Sequence, residues 1–229
     1  MNLKKHVGIE SAKYVKDGMV VGLGTGSTAY YMIEELGRRI REEKLQITGV
    51  PTSSQSKAQA QSLNIPLKDI NEVPYIDITI DGADEFDAEF NGIKGGGGAL
   101  LFEKVVANLS RNVIWIVDES KQVAHLGEFP LPVEVIPFGS QALFVELALK
   151  GYRPKWRMSG GERYLTDSKN YILDLHIEKI EDASAMAKDL KSMIGVVEHG
   201  LFIGMTDMVI MATKDGLKTL GTLKQKQEP

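Results

Sequence analysis

The chain has 229 residues, of which 43% are hydrophobic and 25% charged, and this ordinary globular composition supports one large or two smaller domains. The net charge of −4 argues against nucleic-acid binding, and no apolar run reaches the roughly 18 residues of a membrane span. The chain has no cysteine, which excludes disulfides and thiolate chemistry. The first residues contain no continuous apolar segment, so we expect no signal peptide and a cytoplasmic protein.

Strands and helices alternate in the first half of the chain. The apolar patterns predict strands at 19–23, 46–50, 76–81 and 113–118. Helices are predicted between them, and this alternation is typical of βαβ units in a parallel sheet with helices on both faces. Ligands bind beyond the carboxyl ends of such strands. The polar loops that follow these strands are therefore expected to share one rim, and they cover 24–28, 52–54, 81–84 and 118–121.

The pattern changes after Gly127. It predicts, in order, a strand at 131–138, a helix at 141–150, strands at 154–158 and 171–177, a helix at 183–193 and a strand at 196–202. This βαββαβ order is that of a ferredoxin-like domain. A hairpin with Asp215-Gly216 in its turn then returns to the first sheet. We predict an α/β fold: a Rossmann-like parallel-sheet domain (1–128 and 206–229) with an inserted α+β ferredoxin-like domain (129–205).

The glycine-rich turn 22–28 does not fit a nucleotide-binding motif. A dinucleotide fingerprint needs glycine at its first, third and sixth positions, and the sixth position here is Ser27. The Gly-Lys-Ser/Thr of a P-loop is also absent. The hydroxyls of Thr25, Ser27 and Thr28, with free amides around Gly26 at a helix N-terminus, predict a binding site for a phosphate-type anion. The alternative is a plain tight turn with an N-cap.

The segment 76–104 combines several chemically active residue types. Asp81 and Asp84 follow a predicted strand, and Lys94 precedes four glycines whose backbone suits a loop that approaches a ligand closely. Apolar residues recur at helical spacing after the glycines and place Glu103 on the first turns of an amphipathic helix; they are Phe102, Val105, Val106 and Leu109. Acids, a cation and exposed amides together suit proton transfer beside an oxyanion.

Each of these residues also has an ordinary interpretation. The two aspartates alone would be loop residues whose carboxylates accept hydrogen bonds from nearby backbone amides. Lys94 and Glu103 alone would be solvated surface residues. A divalent cation between the aspartates is a further alternative, but Lys94 opposes it electrostatically and no histidine lies nearby. We therefore expect no metal, and the clustering is what favours a catalytic site.

Five motifs in order resemble ribose-5-phosphate isomerase, type A. They are Gly24-Thr-Gly-Ser-Thr28, Asp81-Gly-Ala-Asp-Glu85, Lys94-Gly-Gly-Gly97 with Glu103, Asp118-Glu-Ser-Lys-Gln-Val123 and Phe129-Pro-Leu-Pro-Val-Glu-Val135. The likeness runs from about Lys4 to Leu220. It implies a Rossmann-like domain with a ferredoxin-like insertion, and interconversion of D-ribose 5-phosphate and D-ribulose 5-phosphate in the pentose phosphate pathway, with no metal, nucleotide or other cofactor.

The resemblance also implies a role for each catalytic residue. Glu103 matches the base that moves a proton between C2 and C1, and Asp81 matches an acid that assists ring opening and proton transfer at oxygen. Lys94, with the Gly95–Gly97 amides, would stabilise the enediolate oxygen, and Asp84 would hold and orient the substrate hydroxyls. The implied substrate-binding set is Thr25, Gly26, Ser27, Thr28, Asp81, Gly82, Ala83, Asp84, Lys94, Gly95, Gly96, Gly97, Lys121 and Lys4.

Two rival functions remain open from the sequence. One is a sugar-phosphate sensor without turnover, which the presence of Glu103, Lys94 and both aspartates disfavours. The other is a hydrolase or deaminase that acts on a related phosphosugar. As partners we expect a small sugar phosphate and a second copy of the chain, in a homodimer or homotetramer, and neither nucleic acid nor membrane.

Overall fold

The structure is a computed structural model that describes residues 2–224; Met1 and residues 225–229, the end of the predicted first domain, lie outside the described part. Within 2–224 the α-helices are Leu3–Ala12 (α1), Ser27–Glu43 (α2), Ser54–Ser62 (α3), Leu100–Asn108 (α4), Ser140–Leu149 (α5) and Ala183–Ser192 (α6). None of the helices described is long and apolar enough to cross a membrane.

The described residues form fifteen strands. They are Val20–Leu23 (β1), Thr48–Pro51 (β2), Ile78–Asp81 (β3), Glu85–Phe86 (β4), Gly92–Ile93 (β5), Val113–Asp118 (β6), Leu131–Val135 (β7), Pro154–Trp156 (β8), Met158–Ser159 (β9), Glu162–Arg163 (β10), Tyr171–Leu175 (β11), Val196–His199 (β12), Leu201–Phe202 (β13), Met208–Thr213 (β14) and Gly216–Gly221 (β15).

The chain divides into two compact units. The first unit comprises Met1–Ala83, Phe102–Lys121 and Met205–Pro229, and the second comprises Asp84–Leu101 and Gln122–Gly204. Residues 84–101 and 122–128 thus lie in the second unit, whereas the sequence placed them in the first domain.

The first unit is built on a six-stranded sheet. Its strand order is β15-β14-β6-β3-β1-β2, and every pairing is parallel except that of β15, which pairs with β14 as the antiparallel arm of the C-terminal hairpin. The buried core includes Leu23, Ile33, Ile80, Ile116 and Ile210. The Rossmann-like parallel sheet and the returning hairpin are confirmed.

The second unit contains a four-stranded antiparallel sheet with the order β12-β7-β11-β8. Numbered along the βαββαβ segment, this order is 4-1-3-2, with α5 and α6 as the two crossover helices. Apolar side chains of β7 and of these helices share one core, which includes Leu131, Val133, Leu147 and Leu190. The ferredoxin-like prediction is confirmed, and the short hairpin of β9 and β10 is an addition to it.

Three short strands explain why residues 84–101 belong to the second unit. β5 pairs with both β4 and β13, so this segment is joined to the end of the ferredoxin-like part. The buried Glu85 carboxylate accepts hydrogen bonds from the Gly127 amide, at 2.8 Å, and from the Phe129 amide. Burial raises the pKa of Glu85, and these two hydrogen bonds oppose that rise. Residues 122–128 are thereby held by the second unit.

Candidate active site

Asp81 ends β3 and lies against the end of β1. Its Oδ1 accepts hydrogen bonds from the amides of Thr25, at 2.9 Å, and Gly82, at 2.8 Å. A Cβ atom on Gly24 would stand 2.3 Å from the same oxygen, so only glycine at this position allows the approach. The glycine turn and the first aspartate are therefore parts of one arrangement at the carboxyl edge of the sheet.

The hydroxyl of Thr25 is turned towards the next strand. It lies 2.7 Å from the hydroxyl of Thr52 and donates to Ser53 Oγ at 2.8 Å. Thr52 in turn donates to the Leu23 carbonyl at 2.9 Å. The loops after β1 and β2 share one rim, as predicted, and the Thr25 side chain holds these loops together.

The N-terminus of α2 has no side-chain cap. Gly26 occupies the N-cap with φ 99°, a backbone conformation that favours glycine, and no side-chain hydrogen bond caps the helix there. The amides at the start of a 17-residue helix are thus available to an anion, and the helix dipole favours negative charge at this end.

A lysine from α1 reaches this helix terminus. Lys4 Nζ donates to Ser27 Oγ at 2.8 Å, and both residues are exposed. Lys4 also lines a cavity of about 430 Å³ together with Asn2, Leu3 and the turn after β6, Asp118 to Ser120. Lys121 ends the short 3₁₀ helix in that turn but does not line the cavity. The structure therefore places Lys4 at the predicted anion-binding site, and Lys121 lies one residue beyond the residues that line the cavity.

The position of Glu103 follows from the packing of α4 on the sheet. The chain after α4 meets the start of β3, where the Ile76 amide donates to the Leu109 carbonyl at 3.1 Å, so α4 runs antiparallel to the strand. A Cβ atom on Gly22 would lie 2.8 Å from Val106 Cγ1, so this glycine allows α4 to approach β1 closely. Glu103 precedes Val106 by three residues, so it lies about 4.5 Å from Val106 along the helix axis, towards the carboxyl edge of the strands.

The buried face of α4 differs from the predicted one. Phe102 and Val105 are 39% and 46% exposed, whereas Glu103 is only 5% exposed. Leu100, Val106 and Ala107 are the apolar residues buried on this helix. The expected face of Phe102, Val105, Val106 and Leu109 was therefore wrong in part, and the carboxylate lies on the inner side of the helix.

In the second unit, Lys94 lies on a backbone held by β13 and its neighbours. Its amide donates to the Gly200 carbonyl at 2.9 Å, and a Cβ atom on Gly200 would stand 2.3 Å from the Lys94 carbonyl oxygen. The side chain is 3% exposed, and its Nζ lies 5.4 Å from the centroid of the Phe202 ring, within range of a cation–π interaction. Lys94 is thus a buried and positioned cation.

The glycines after Lys94 form a turn that Asp84 holds on one side. The Gly98 amide donates to the Gly95 carbonyl at 2.9 Å, and the Gly96 amide donates to Asp84 Oδ2 at 2.8 Å. The Gly96 amide is therefore engaged by a side chain of the protein. The Gly97 amide has no hydrogen-bond acceptor among residues 2–224, so it remains a donor for a ligand.

Three ionisable groups of the predicted site share unusual burial. The exposed fractions are 2% for Asp81, 3% for Lys94 and 5% for Glu103. Charged side chains are seldom buried to this degree unless they serve a function or are paired. In the first unit a carboxylate on α4, an aspartate at the end of β3 and an uncapped helix N-terminus all lie towards one edge of the sheet. That arrangement suits a base acting on a phosphorylated ligand.

Residues 48–216 match the family model of ribose 5-phosphate isomerase A (phosphoriboisomerase A). Ribose-5-phosphate isomerase A of Enterococcus faecalis is 59% identical over 221 residues, which are 96% of this chain and 98% of that protein.

Solved structures give the same result. Ribose 5-phosphate isomerase A from Methanocaldococcus jannaschii superposes with a TM-score of 0.92 at 44% identity, over 96% of this chain and 99% of that one. A D-ribose-5-phosphate isomerase in complex with phospho-erythronic acid superposes with a TM-score of 0.94 at 38% identity, over 97% of this chain and 100% of that one.

Proposed function

The chain belongs to the ribose 5-phosphate isomerase A family, and we propose that it interconverts D-ribose 5-phosphate and D-ribulose 5-phosphate through an enediolate. The observation that carries this proposal is the carboxylate of Glu103, buried on α4 and placed towards the carboxyl edge of the parallel sheet. The complex of a relative with phospho-erythronic acid supports the substrate class, since this ligand is a four-carbon phosphorylated sugar acid.

In the proposed reaction Glu103 takes the proton from C2 of the open-chain aldose. The electron pair of the broken C–H bond forms the C1–C2 double bond, and negative charge collects on the C1 oxygen. Glu103 then returns the proton to C1, and the C2 oxygen becomes the ketone carbonyl. A placed carboxylate is the group that this step requires. Asp81 serves the oxygen atoms, first in ring opening and then in proton transfer between O1 and O2.

Lys94 and the Gly97 amide supply positive charge and a hydrogen-bond donor to the enediolate oxygen. Preorganised donors of this kind act where charge develops in the transition state. Asp84 holds the Gly96 amide, at 2.8 Å, and thereby orders the loop as well as orienting substrate hydroxyls. Of the three glycine amides implied by the resemblance, the Gly97 amide is the one we assign to the substrate.

The substrate phosphate is proposed to bind at the start of α2. Residues 25–28 offer amides and hydroxyls there, and Lys4 adds its ammonium through Ser27. Lys121 contributes charge at longer range. Gly82 and Ala83 lie between the two aspartates and complete the proposed substrate-binding set.

Incubation of chelator-treated protein with ribose 5-phosphate tests this function. We expect a ketose phosphate of unchanged mass. A change of mass would favour the hydrolase or deaminase alternative, and binding without turnover would favour a sensor. From family membership we also propose a cytoplasmic role in the pentose phosphate pathway.

A second copy of the chain is the proposed protein partner. Helix α5 is apolar on most sides: Leu143 and Leu147 are buried, while Val145 and Leu149 are exposed by 50% and 84%. Phe138, which precedes α5, is 91% exposed, and Ile194, which follows α6, is 97% exposed. Exposed apolar side chains that cluster on a surface often mark a protein–protein interface. Exposed apolar side chains of this kind suit the interface of a two-fold homodimer or one interface of a homotetramer.

Charge on this apolar face is expected to separate the copies. The double substitution Leu149→Glu and Ile194→Glu would bring like charges together across the interface, so the mass from light scattering should fall to that of one chain, or of a dimer if the native form is a tetramer. The control is Leu165→Glu, an exposed apolar position outside α5. An unchanged mass for the double variant would place the interface elsewhere.

A further inference from the structure

The glycine loop after Lys94 needs support from outside itself. Gly95 and Gly98 have φ angles of 105° and 80°, and glycine loses more conformational freedom on ordering than any other residue. A loop of this composition holds a fixed amide direction only if other groups bind its peptide units. Asp84 holds one of these peptide units by accepting a hydrogen bond from the Gly96 amide.

Arg157 binds the same loop from the carbonyl side. Its Nη1 donates to the Gly95 carbonyl at 2.7 Å and to the Gly96 carbonyl at 3.1 Å. No other side chain among residues 2–224 donates to these two carbonyls. The peptide unit between Gly95 and Gly96 is thus held at both ends, while the unit between Gly96 and Gly97 is held by Arg157 alone.

The guanidinium of Arg157 is itself fixed. Nε donates to Asp174 Oδ2 at 3.0 Å and Nη2 donates to Asp174 Oδ1 at 2.5 Å, a bidentate pair in which both side chains are less than 20% exposed. The backbone of Arg157 is held as well, since its amide donates to the Ile172 carbonyl at 3.0 Å and its carbonyl accepts from the Tyr164 amide at 2.8 Å. Few rotamers remain to such an arginine.

The orientation of one amide follows from this clamp. Residues 2–224 contain no cis peptide bonds, and in a trans peptide the carbonyl and the amide hydrogen point in opposite directions. Because the Gly96 carbonyl points at Arg157, the Gly97 amide points away from Arg157 and stays free for a ligand. A charged donor on the carbonyl also polarises the peptide and makes its amide a stronger donor.

We propose that Arg157, held by Asp174, is a positioning residue for the isomerase reaction: it sets the direction of the Gly97 amide that stabilises the enediolate oxygen. This inference rests on the proposed isomerase function. Arg157 does not touch the reacting atoms. Its contribution is the preorganisation of a donor, and a loss of preorganisation weakens transition-state binding more than substrate binding.

The test compares Arg157→Lys and Asp174→Asn with wild type. Lysine keeps the charge but has no planar fork, so it cannot hold both Asp174 and the two carbonyls. We expect kcat to fall by about 10- to 100-fold for Arg157→Lys, with KM changed less than about threefold and inhibition by phospho-erythronic acid weakened in parallel with kcat/KM. Asp174→Asn should shift the same quantities in the same direction by a smaller factor.

The matched control is Arg153→Lys, because Arg153 forms an exposed ion pair with Glu178 in the same unit. It should leave kcat unchanged, and thermal unfolding shows that each variant is folded. If either variant fails to fold, the other carries the test. A normal kcat in Arg157→Lys, or a rise in KM alone, overturns the positioning role. Absence of ketose formation by the wild type would instead overturn the proposed function.

Discussion

Glu103→Gln is expected to lower kcat by about 10²- to 10⁴-fold, the range that a general base contributes. Glutamine has the same shape and keeps hydrogen-bonding capacity, but it cannot accept the C2 proton. Because Glu103 is buried on α4, the near-isosteric change should leave the fold intact. Substrate binding should persist, since the anion-binding site at the start of α2 is unaltered. The measurements are kcat from ketose formation, ligand binding by calorimetry and the thermal unfolding temperature.

The control for this substitution is Glu128→Gln, which neutralises an exposed glutamate. It should have wild-type kinetics. If Glu103→Gln retained kcat within a few-fold of wild type while folded, Glu103 would not be the base, and another carboxylate of the chain would have to be considered.

Lys94→Met is the second change with a large expected effect. Methionine keeps most of the side-chain volume beside Phe202 but removes the charge that we assign to the enediolate oxygen. Loss of one such stabilising group costs about 10²- to 10³-fold in kcat. KM should change little, because the charge acts on the transition state more than on the substrate. Lys94→Ala should show the same loss of kcat, with an added loss of stability from the cavity that it leaves.

Lys57→Met serves as the matched control, since Lys57 is an exposed lysine on α3. An equal fall of kcat in both variants would point to a general effect of charge. A variant Lys94→Met with normal kcat and raised KM would show that Lys94 binds the ground state, and its proposed role would be wrong.

The sequence predicted the layers of the fold because their patterns are local. Short apolar runs marked the buried strands of the parallel sheet, and the predicted βαββαβ order agrees with the observed strand order of a ferredoxin-like sheet. Strands of two residues carry no periodicity, so β4 and β5 were not predictable, and the predicted strand at 196–202 is divided in the structure into β12 and β13. Their pairing, such as Leu201 with Ile93, joins positions far apart in the chain and thereby moves residues 84–101 to the second unit.

The helix α4 shows where the sequence pattern misleads. An amphipathic pattern assigns apolar residues to the inside, but here a glutamate is inside while Phe102 and Val105 are partly exposed. Burying a charge is costly unless the charge is paired and hydrogen-bonded, so exceptions to the apolar rule are expected mainly at functional sites.

Arg157 was not predicted as a site residue, and no local signal marks it. A single arginine in the predicted strand at 154–158 is ordinary, and its role depends on two distant partners, Asp174 and the glycine loop. The hydroxyls of Thr52 and Ser53 were only partly anticipated, as a polar loop on the shared rim. Their contact with Thr25 depends on the pairing of β1 with β2.

Solvent-isotope incorporation tests the central claim most directly. Chelator-treated protein is incubated with ribose 5-phosphate in deuterated water, and the products are followed by NMR and mass spectrometry. Base-mediated transfer through an enediolate predicts ketose formation without added metal, with deuterium on C1 of the ketose, and neither result for Glu103→Gln. Ketose without any carbon-bound deuterium, formed only when a divalent metal is added, would contradict the account.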